Sequence, residues 1–319
     1  MIEVRTRVPA QESGMELESI VNRLLEQGIA PPQSGSDVAA YVARWAEYPQ
    51  SRVQIAEDGE RAIGWLGVMV WDGGYATMHP LRWSPPGWPS VVPGEDEQDV
   101  GVRLIAATEA ILPDTVRTLL TSIDQDVPLD PERLAELRLR YERLGFHFAD
   151  LVHFIHPTAD LAGLSMPEEL AASPIGDVDP EALVACIRDV FSGSASPFFC
   201  GGAIEEQESF VRTLPGSPAM AEPASVVLTI DGEMIGFAST VGDRDNGNLL
   251  VDWMGIRPAW RQRGYGRFLL SHILSAAKDE AYATVSLSSD EQNSPALALY
   301  KTQGWEIEGG ERQFVKQLG

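Results

Sequence analysis

Positive charge is scarce in this chain of 319 residues. Lys278, Lys301 and Lys316 are its only lysines, and Lys and Arg together number 24 against 47 Asp and Glu. A net charge of −23 at pH 7 repels phosphate backbones and anionic lipid surfaces. It therefore argues against nucleic-acid and membrane partners, and it favours cationic small molecules as ligands. Cysteine is nearly absent. Cys186 and Cys200 make no disulfide framework, and no Cys/His cluster has zinc-ligand spacing, so no metal is expected. Long apolar runs are missing too: the longest, Ala62 to Trp71, is too short for a bilayer and reads as a buried strand. No signal-peptide stretch follows Met1. These absences lead to the expectation of a cytoplasmic protein.

What is present is enough apolar material for folded cores, 44% hydrophobic residues with 22% charged, in a length that suits two domains. In the second half, Pro180–Phe191 carries apolar residues at helical spacing behind Asp179 as N-cap. Another short helix is expected through Glu205–Leu214. Val226–Ile230 and Met234–Thr240 are β-rich runs joined by Asp231-Gly232-Glu233, a hairpin signal. Leu249–Ile256 is a third strand, Gly266–Lys278 an amphipathic helix, and Thr284–Ser288 a strand. A helix over Ser294–Thr302 ends at Gly304, and Phe314–Leu318 is a last strand. The first half repeats this order: helices at Glu16–Gln27 and Asp37–Tyr48, strands at Val53–Ala56 and Ile63–Val70, a helix at Val100–Ile111, a strand at Thr118–Ile123 and a helix at Asp130–Leu144. Tyr141-Glu142-Arg143-Leu144-Gly145-Phe146 echoes Tyr300-Lys301-Thr302-Gln303-Gly304-Trp305 half a chain length away. The pattern points to an internal duplication. Its halves are 1–160 and 161–319, with the boundary inside Pro157–Pro174, where Pro, Ala and Ser interrupt the periodicity.

The segment that carries chemistry is Met254-Gly255-Ile256-Arg257-Pro258-Ala259-Trp260-Arg261-Gln262-Arg263-Gly264-Tyr265-Gly266-Arg267, at a strand-to-helix junction. Gly264 and Gly266 let the backbone bend so that successive N–H groups face one concavity. The helix that begins there adds its positive end, and Arg261, Arg263 and Arg267 add charge. A pyrophosphate suits such a cradle; a tight turn decorated with surface arginines is the plainer alternative.

About thirty residues later, Asn293-Ser294-Pro295-Ala296-Leu297-Ala298-Leu299-Tyr300 leads to Gly304-Trp305. Together the two segments resemble the GCN5-related N-acetyltransferase (GNAT) superfamily. Its pyrophosphate motif, (Gln/Arg)-x-x-Gly-x-(Gly/Ala), is similar at Arg261, Gly264 and Gly266. Its later motif is similar at Asn293, Ala296, Leu299, Tyr300, Gly304 and Trp305. The resemblance spans roughly Val226–Trp305. It implies an α/β (α+β) protein of two tandem acyl-CoA N-acyltransferase folds, each a mixed, mostly antiparallel sheet flanked by helices. It also implies acetyl-CoA as co-substrate, held by Arg261, Gln262, Arg263, Gly264, Tyr265, Gly266 and Arg267 at its diphosphate. The backbone of Met254, Gly255 and Ile256 would pair with its pantetheine arm, Leu287 would line the other side, and Asn293 would bond near the same arm.

By the same resemblance Tyr300 protonates the departing thiolate, which a positioned phenol suits; a core-facing helix aromatic is the alternative. Asp252 is the candidate base, acting through water, with a solvated strand carboxylate as the alternative. Phe198 and Phe199 fall in the loop that lines the acceptor pocket in the family, as an apolar or cation-binding wall or as local core. In the first half, Gly101 aligns with Gly266, which puts Asp99 and Asp96 opposite Gly264 and Arg261. The carboxylates of Glu95, Asp96, Glu97 and Asp99 would repel a diphosphate, so this copy is expected to bind no acetyl-CoA. The leading expectation is an acetyltransferase for a primary amine of a small, cationic molecule, by direct attack in a ternary complex. An acetyltransferase for protein N-termini or lysines, and an acyl-CoA-binding module without turnover, are the competing readings. Monomer and homodimer are equally open.

Overall fold

The computed structural model describes residues 2–11, 14–29, 38–48, 50–71, 74–79, 88–124, 130–159, 167–192, 208, 211–212, 214–217, 220–221 and 223–318. Phe198, Phe199 and most of the helix expected over Glu205–Leu214 lie outside them. Among the described residues, no helix is long and apolar enough to cross a membrane. The chain divides into two compact units, Met1–Ala149 with Arg312–Gly319, and Asp150–Glu311. It passes between them twice, at 149/150 and at 311/312, where a single cut at 160/161 allows one passage.

In the first unit, β1 (Ile2–Arg7), β2 (Arg52–Asp58), β3 (Arg61–Trp71) and β4 (Tyr75–His79) pair antiparallel in turn. A short β5 (Ser90–Val91) joins β3, and β6 (Thr118–Asp124) runs parallel to β4. Strand residues alternate between faces, and the two faces meet different helices. Val53, Ile55 and Trp65 pack against α1 (Gly14–Glu26) and α2 (Val38–Ala46). Ala56, Leu66 and Val68 pack against α3 (Glu97–Ile111) and α4 (Pro131–Arg143). The C-terminal residues complete this unit: Phe314 stacks on Tyr141 with ring centroids 4.3 Å apart, and Lys316 pairs with Glu109 at 2.7 Å.

The second unit repeats the plan. β7 (His147–Pro157) supplies its residues from 150 onward, β8 (Leu170–Pro174) follows, and α5 (Pro180–Phe191) is capped by the Asp179 carboxylate. β9 (Val226–Ile230), β10 (Glu233–Asp243) and β11 (Asn248–Ile256) are antiparallel neighbours. The β9–β10 turn places Asp231 at φ 50 and Gly232 at φ 80, the primed-turn conformation expected of Asp-Gly. After α6 (Tyr265–Asp279) comes β12 (Thr284–Asp290), parallel to β11 and antiparallel to β7. α7 (Ser294–Thr302) leads to β13 (Glu306–Gln317). One face buries Val190, Val227 and Phe237 beside α5; the other buries Leu249, Val251 and Leu287 beneath α6 and α7.

The sequence reading misses β1, β4, β5, β7 and β8, and it begins β13 eight residues late. Their alternation is weak: β1 is mostly polar, β7 is studded with His147, His153 and His156, and β8 is short and Ala/Ser-rich. Strand neighbours, rather than local pattern, make these segments strands.

Candidate active site

The site grows from the end of β11. Its parallel ladder with β12 runs from Asn248↔Thr284 to Val251↔Leu287. Beyond that the strands continue to Ile256 and Asp290 without pairing with each other, so this edge of β11 has no strand neighbour among the described residues. On its other side, β11 pairs with β10 through Ser239↔Trp253 and then Thr240↔Val251, leaving Asp252 as the extra residue of a β-bulge. A bulge bends a strand and re-aims its side chains, and this one falls where the parallel ladder ends. The expected pantetheine segment, Met254–Ile256, is the open edge just past it.

Two residues on, the chain turns through Pro258–Trp260 into α6. Gln262 (φ 61) and Gly264 (φ 89) both adopt the left-handed conformation. A Cβ on Gly264 would meet nothing within 4 Å, so its conformation, not crowding, calls for glycine. Gly264 is also the N-cap of α6 and supplies no side-chain cap. The first N–H groups of a long helix are thereby left for an anion, in the place where the cradle is expected. Gly266 brings α6 close to α7; a Cβ there would lie 3.2 Å from Leu299.

The arginines divide. Arg261 donates from Nε to the Ile256 carbonyl at 3.0 Å and from Nη2 to the Val190 carbonyl at 2.7 Å, tying β11 to the last turn of α5. Arg263 lies over the Trp260 ring at 5.0 Å and reaches the Ala259 carbonyl at 3.3 Å. Arg267 meets Gln303, whose amide oxygen, turned toward it, accepts at 2.7 and 2.9 Å. Arg263 and Arg267 are exposed beside the helix start, while the Arg261 guanidinium faces backbone carbonyls. Asn293 caps α7, its side chain accepting from the Ala296 N–H at 3.4 Å.

Tyr300, Leu287, Ile256 and Tyr265 belong to one apolar cluster, with Met254 and Leu299 packed on it. The Tyr300 ring lies 5.2 Å from Phe154 and 6.1 Å from Trp305. Burial pushes its phenol up to about 12, partly offset by a hydrogen bond with the Ser289 side chain. Asp252 does not join this cluster. Val251 belongs to it, and Asp252 follows as the exposed extra residue of the bulge. Its edge is exposed, yet surrounding protein desolvates the carboxyl enough to hold it above the usual carboxylate range. Cys186, buried under α5, has its thiol pushed up to about 12 and is no nucleophile.

The Acetyltransferase (GNAT) family model matches residues 193–305, and the chain belongs to this family of acetyltransferases. It is 31% identical over 123 residues to the N-alpha-acetyltransferase RimI of Mycobacterium tuberculosis, an alignment of 36% of this chain and 76% of that protein. It is 28% identical over 80 residues to the streptothricin acetyltransferase of Streptomyces lavendulae, covering 25% of this chain and 42% of that one. The chain thus spans less than half the length of this second relative. A tandem GNAT protein from the clavulanic acid biosynthesis pathway superposes with TM-score 0.53 at 15% identity, covering 100% of this chain and 99% of that one. At that identity the likeness is one of fold, and it extends over both units.

Proposed function

We propose that the second unit transfers an acetyl group from acetyl-CoA to a primary amine of a small, cationic molecule, directly and in a ternary complex. In this reading Asp150–Glu311 is the catalytic domain, and Met1–Ala149 with Arg312–Gly319 is a degenerate copy that binds no acetyl-CoA. The observation that carries the reading is the uncapped start of α6 at Gly264 beside the open edge of β11. The helix start would take the diphosphate through backbone N–H groups, with Arg263 and Arg267 at its rim. The edge at Met254–Ile256 would take the pantetheine amides.

Asp252 accepts a proton from the ammonium, through water. The free amine attacks the thioester carbon, and the C–S bond breaks with its electron pair on sulfur. Tyr300 then donates the phenolic proton to that sulfur, the second proton leaves the nitrogen through water to give the neutral amide, and solvent restores the phenol and the Asp252 carboxylate. A phenol near 12 is a poor match for an aqueous thiolate at about 8.5. A thiolate released into the same apolar surroundings is desolvated and more basic than in water, which narrows that gap, and the phenol keeps its proton throughout the neutral range.

The test is a screen of amines against acetyl-CoA, following free thiol. Cationic small amines are expected to release thiol, and silence across the panel sinks the proposal. Asp252→Asn should remove the acid limb of the pH–rate curve, which Asp252 places above the ordinary carboxylate range; an unchanged curve removes Asp252 as base. The likeness to RimI supports a second reading, acetylation of protein N-termini. Alanine- or serine-initiated peptides in the same screen separate the two.

A further inference from the structure

β6 and β12 correspond residue for residue. Tyr75↔Thr118 opens the parallel ladder of the first unit and Asn248↔Thr284 that of the second. Both strands then run seven residues, Thr118–Asp124 and Thr284–Asp290, so Ser122 matches Ser288 and Asp124 matches Asp290. The position between them differs in kind. It is Ile123 in the first unit, fully buried in the cluster that holds Tyr141. In the second it is Ser289, only 8% exposed, whose side chain hydrogen-bonds with the Tyr300 phenol. Ser289 lies two residues past Leu287, where the ladder with β11 ends, and strand alternation gives it the face of Val285 and Leu287, the face of Tyr300. Its strand stays paired to β7 through Ser289↔Val152, so the hydroxyl sits on a held backbone. The other neighbours of the phenol ring are apolar: Phe154 at 5.2 Å and Trp305 at 6.1 Å. The bond to Ser289 favours the ionised phenol over the neutral one, so the serine is the donor and the phenol oxygen the acceptor. The phenol's own O–H is thereby left uncommitted.

We infer that Ser289 is a positioning residue for proton transfer to the leaving sulfur: its O–H donates to the Tyr300 oxygen, which leaves the phenolic proton for the sulfur and holds the phenolate that forms. When the Tyr300 O–H bond breaks, its electron pair stays on oxygen and the proton forms the S–H bond. The anion is then left in apolar surroundings, where a donated hydrogen bond counts for most. Solvent returns a proton to the oxygen before the next cycle. Ile123 offers no such hydroxyl in the first unit. This inference rests on the transferase reading for its role, but the pair itself is measurable without turnover.

The test uses the full-length protein labelled with fluorotyrosine, whose phenol ionises at lower pH, and follows each ring by fluorine NMR through an alkaline titration. Tyr300→Phe identifies the signal. Threonine and valine share a shape and differ in the hydroxyl. Ser289→Val should therefore lower the ionised fraction of Tyr300 at a given pH about tenfold, and Ser289→Ala likewise, whereas Ser289→Thr should stay within about twofold of the native protein. With an amine that releases thiol in the screen, Ser289→Val should lower kcat about tenfold at an unchanged KM for acetyl-CoA. Ser289→Thr should restore most of that loss, a split that a merely packed serine would not produce. Should Ser289→Val fail to fold, Ser289→Ala against Ser289→Thr decides the matter. Equal titration of the variants with and without the hydroxyl would overturn the inference. A titration that follows the hydroxyl, in a native protein that releases no thiol, overturns the transferase reading alone; thiol release with a kcat indifferent to Ser289→Ala overturns the inference alone.

Discussion

Helices α3 and α6 begin at corresponding places in the two units and are finished in opposite ways. α6 starts at a left-handed glycine with no side-chain cap. α3 starts at Asp96, whose carboxylate accepts from the Asp99 N–H at 3.0 Å. Over the first turn of α3 lies the buried Trp88 indole, whose Nε1 donates to the Glu97 carbonyl at 3.0 Å. A Cβ on Gly101 would come within 2.1 Å of that indole. The ring also stands 5.1 Å from Tyr141, the counterpart of Tyr300. Arg133 pairs with Glu97, and Arg140 lies 3.4 Å from it. The first copy thus fills with its own side chains the place where the second leaves room for a cofactor. The same fold can therefore hold a ligand site or a packed core, depending on what meets the helix start.

The sheets show a second contrast. Gly74 and Gly247 accept the same pair of bonds, from Arg117 and Thr118 at 2.7 and 3.2 Å and from Ala283 and Thr284 at 2.8 and 3.2 Å. Counting five residues on from each, His79 stands where Asp252 stands. The Trp45 ring, 5.8 Å away, covers His79, and burial lowers its pKa to about 4. At that count the first copy thus carries a weakened base packed beside α2.

Replacing Trp88 should break this comparison most visibly. Trp88→Ala should destabilise the protein by about 3–5 kcal/mol in chemical denaturation, through the cavity it leaves. Calorimetry should still count one acetyl-CoA per chain, because Asp96 continues to cap α3; two equivalents would refute the degenerate-copy reading. His79 comes next. The unfolded chain takes up its proton near 6.5 and the folded chain only near 4, so the native state binds fewer protons across that window. Stability is full above 6.5 and falls as pH drops toward 4, by on the order of 3 kcal/mol. His79→Gln should flatten that decline, measured as denaturation free energy against pH, and an unaltered slope would assign the acid lability elsewhere.

Tyr300→Phe should lower kcat by about tenfold to a hundredfold with acetyl-CoA binding little changed, whereas Tyr141→Phe should leave kcat alone; equal effects would erase the distinction between the two tyrosines. The smallest expected change is Asp96→Ala, a loss of about 1 kcal/mol as the cap of α3 disappears. Thermal unfolding measures it.

Much of the second unit was legible because its signals are local. Asp179-Pro180 starts α5, Asp231-Gly232 turns the β9–β10 hairpin, and Gly264 shows that the backbone bends at α6; each needs only its immediate neighbours. Arg261 was legible as a motif residue but not as a side chain. Its carbonyl partner Val190 is distant in sequence, and only packing brings the two together. Gly255 is similar: it read as part of the cofactor strand, and the tertiary contact adds that Val190 leaves no room for a Cβ. Trp88, in a Pro-rich stretch, gave no hint of lying against Gly101 and Tyr141.

Turn chemistry and element order indicated by themselves the duplicated α/β plan and the position of the glycine bend before α6, since both rest on backbone preferences within a few residues, and the resemblance at the two glycine-containing motifs indicated the family. Tertiary structure alone decided which helix start stays open, where β11 bulges, and which arginine faces carbonyls rather than the rim. Those outcomes turn on strand register and on side chains arriving from remote segments. A one-residue bulge or one buried indole is enough to reverse them.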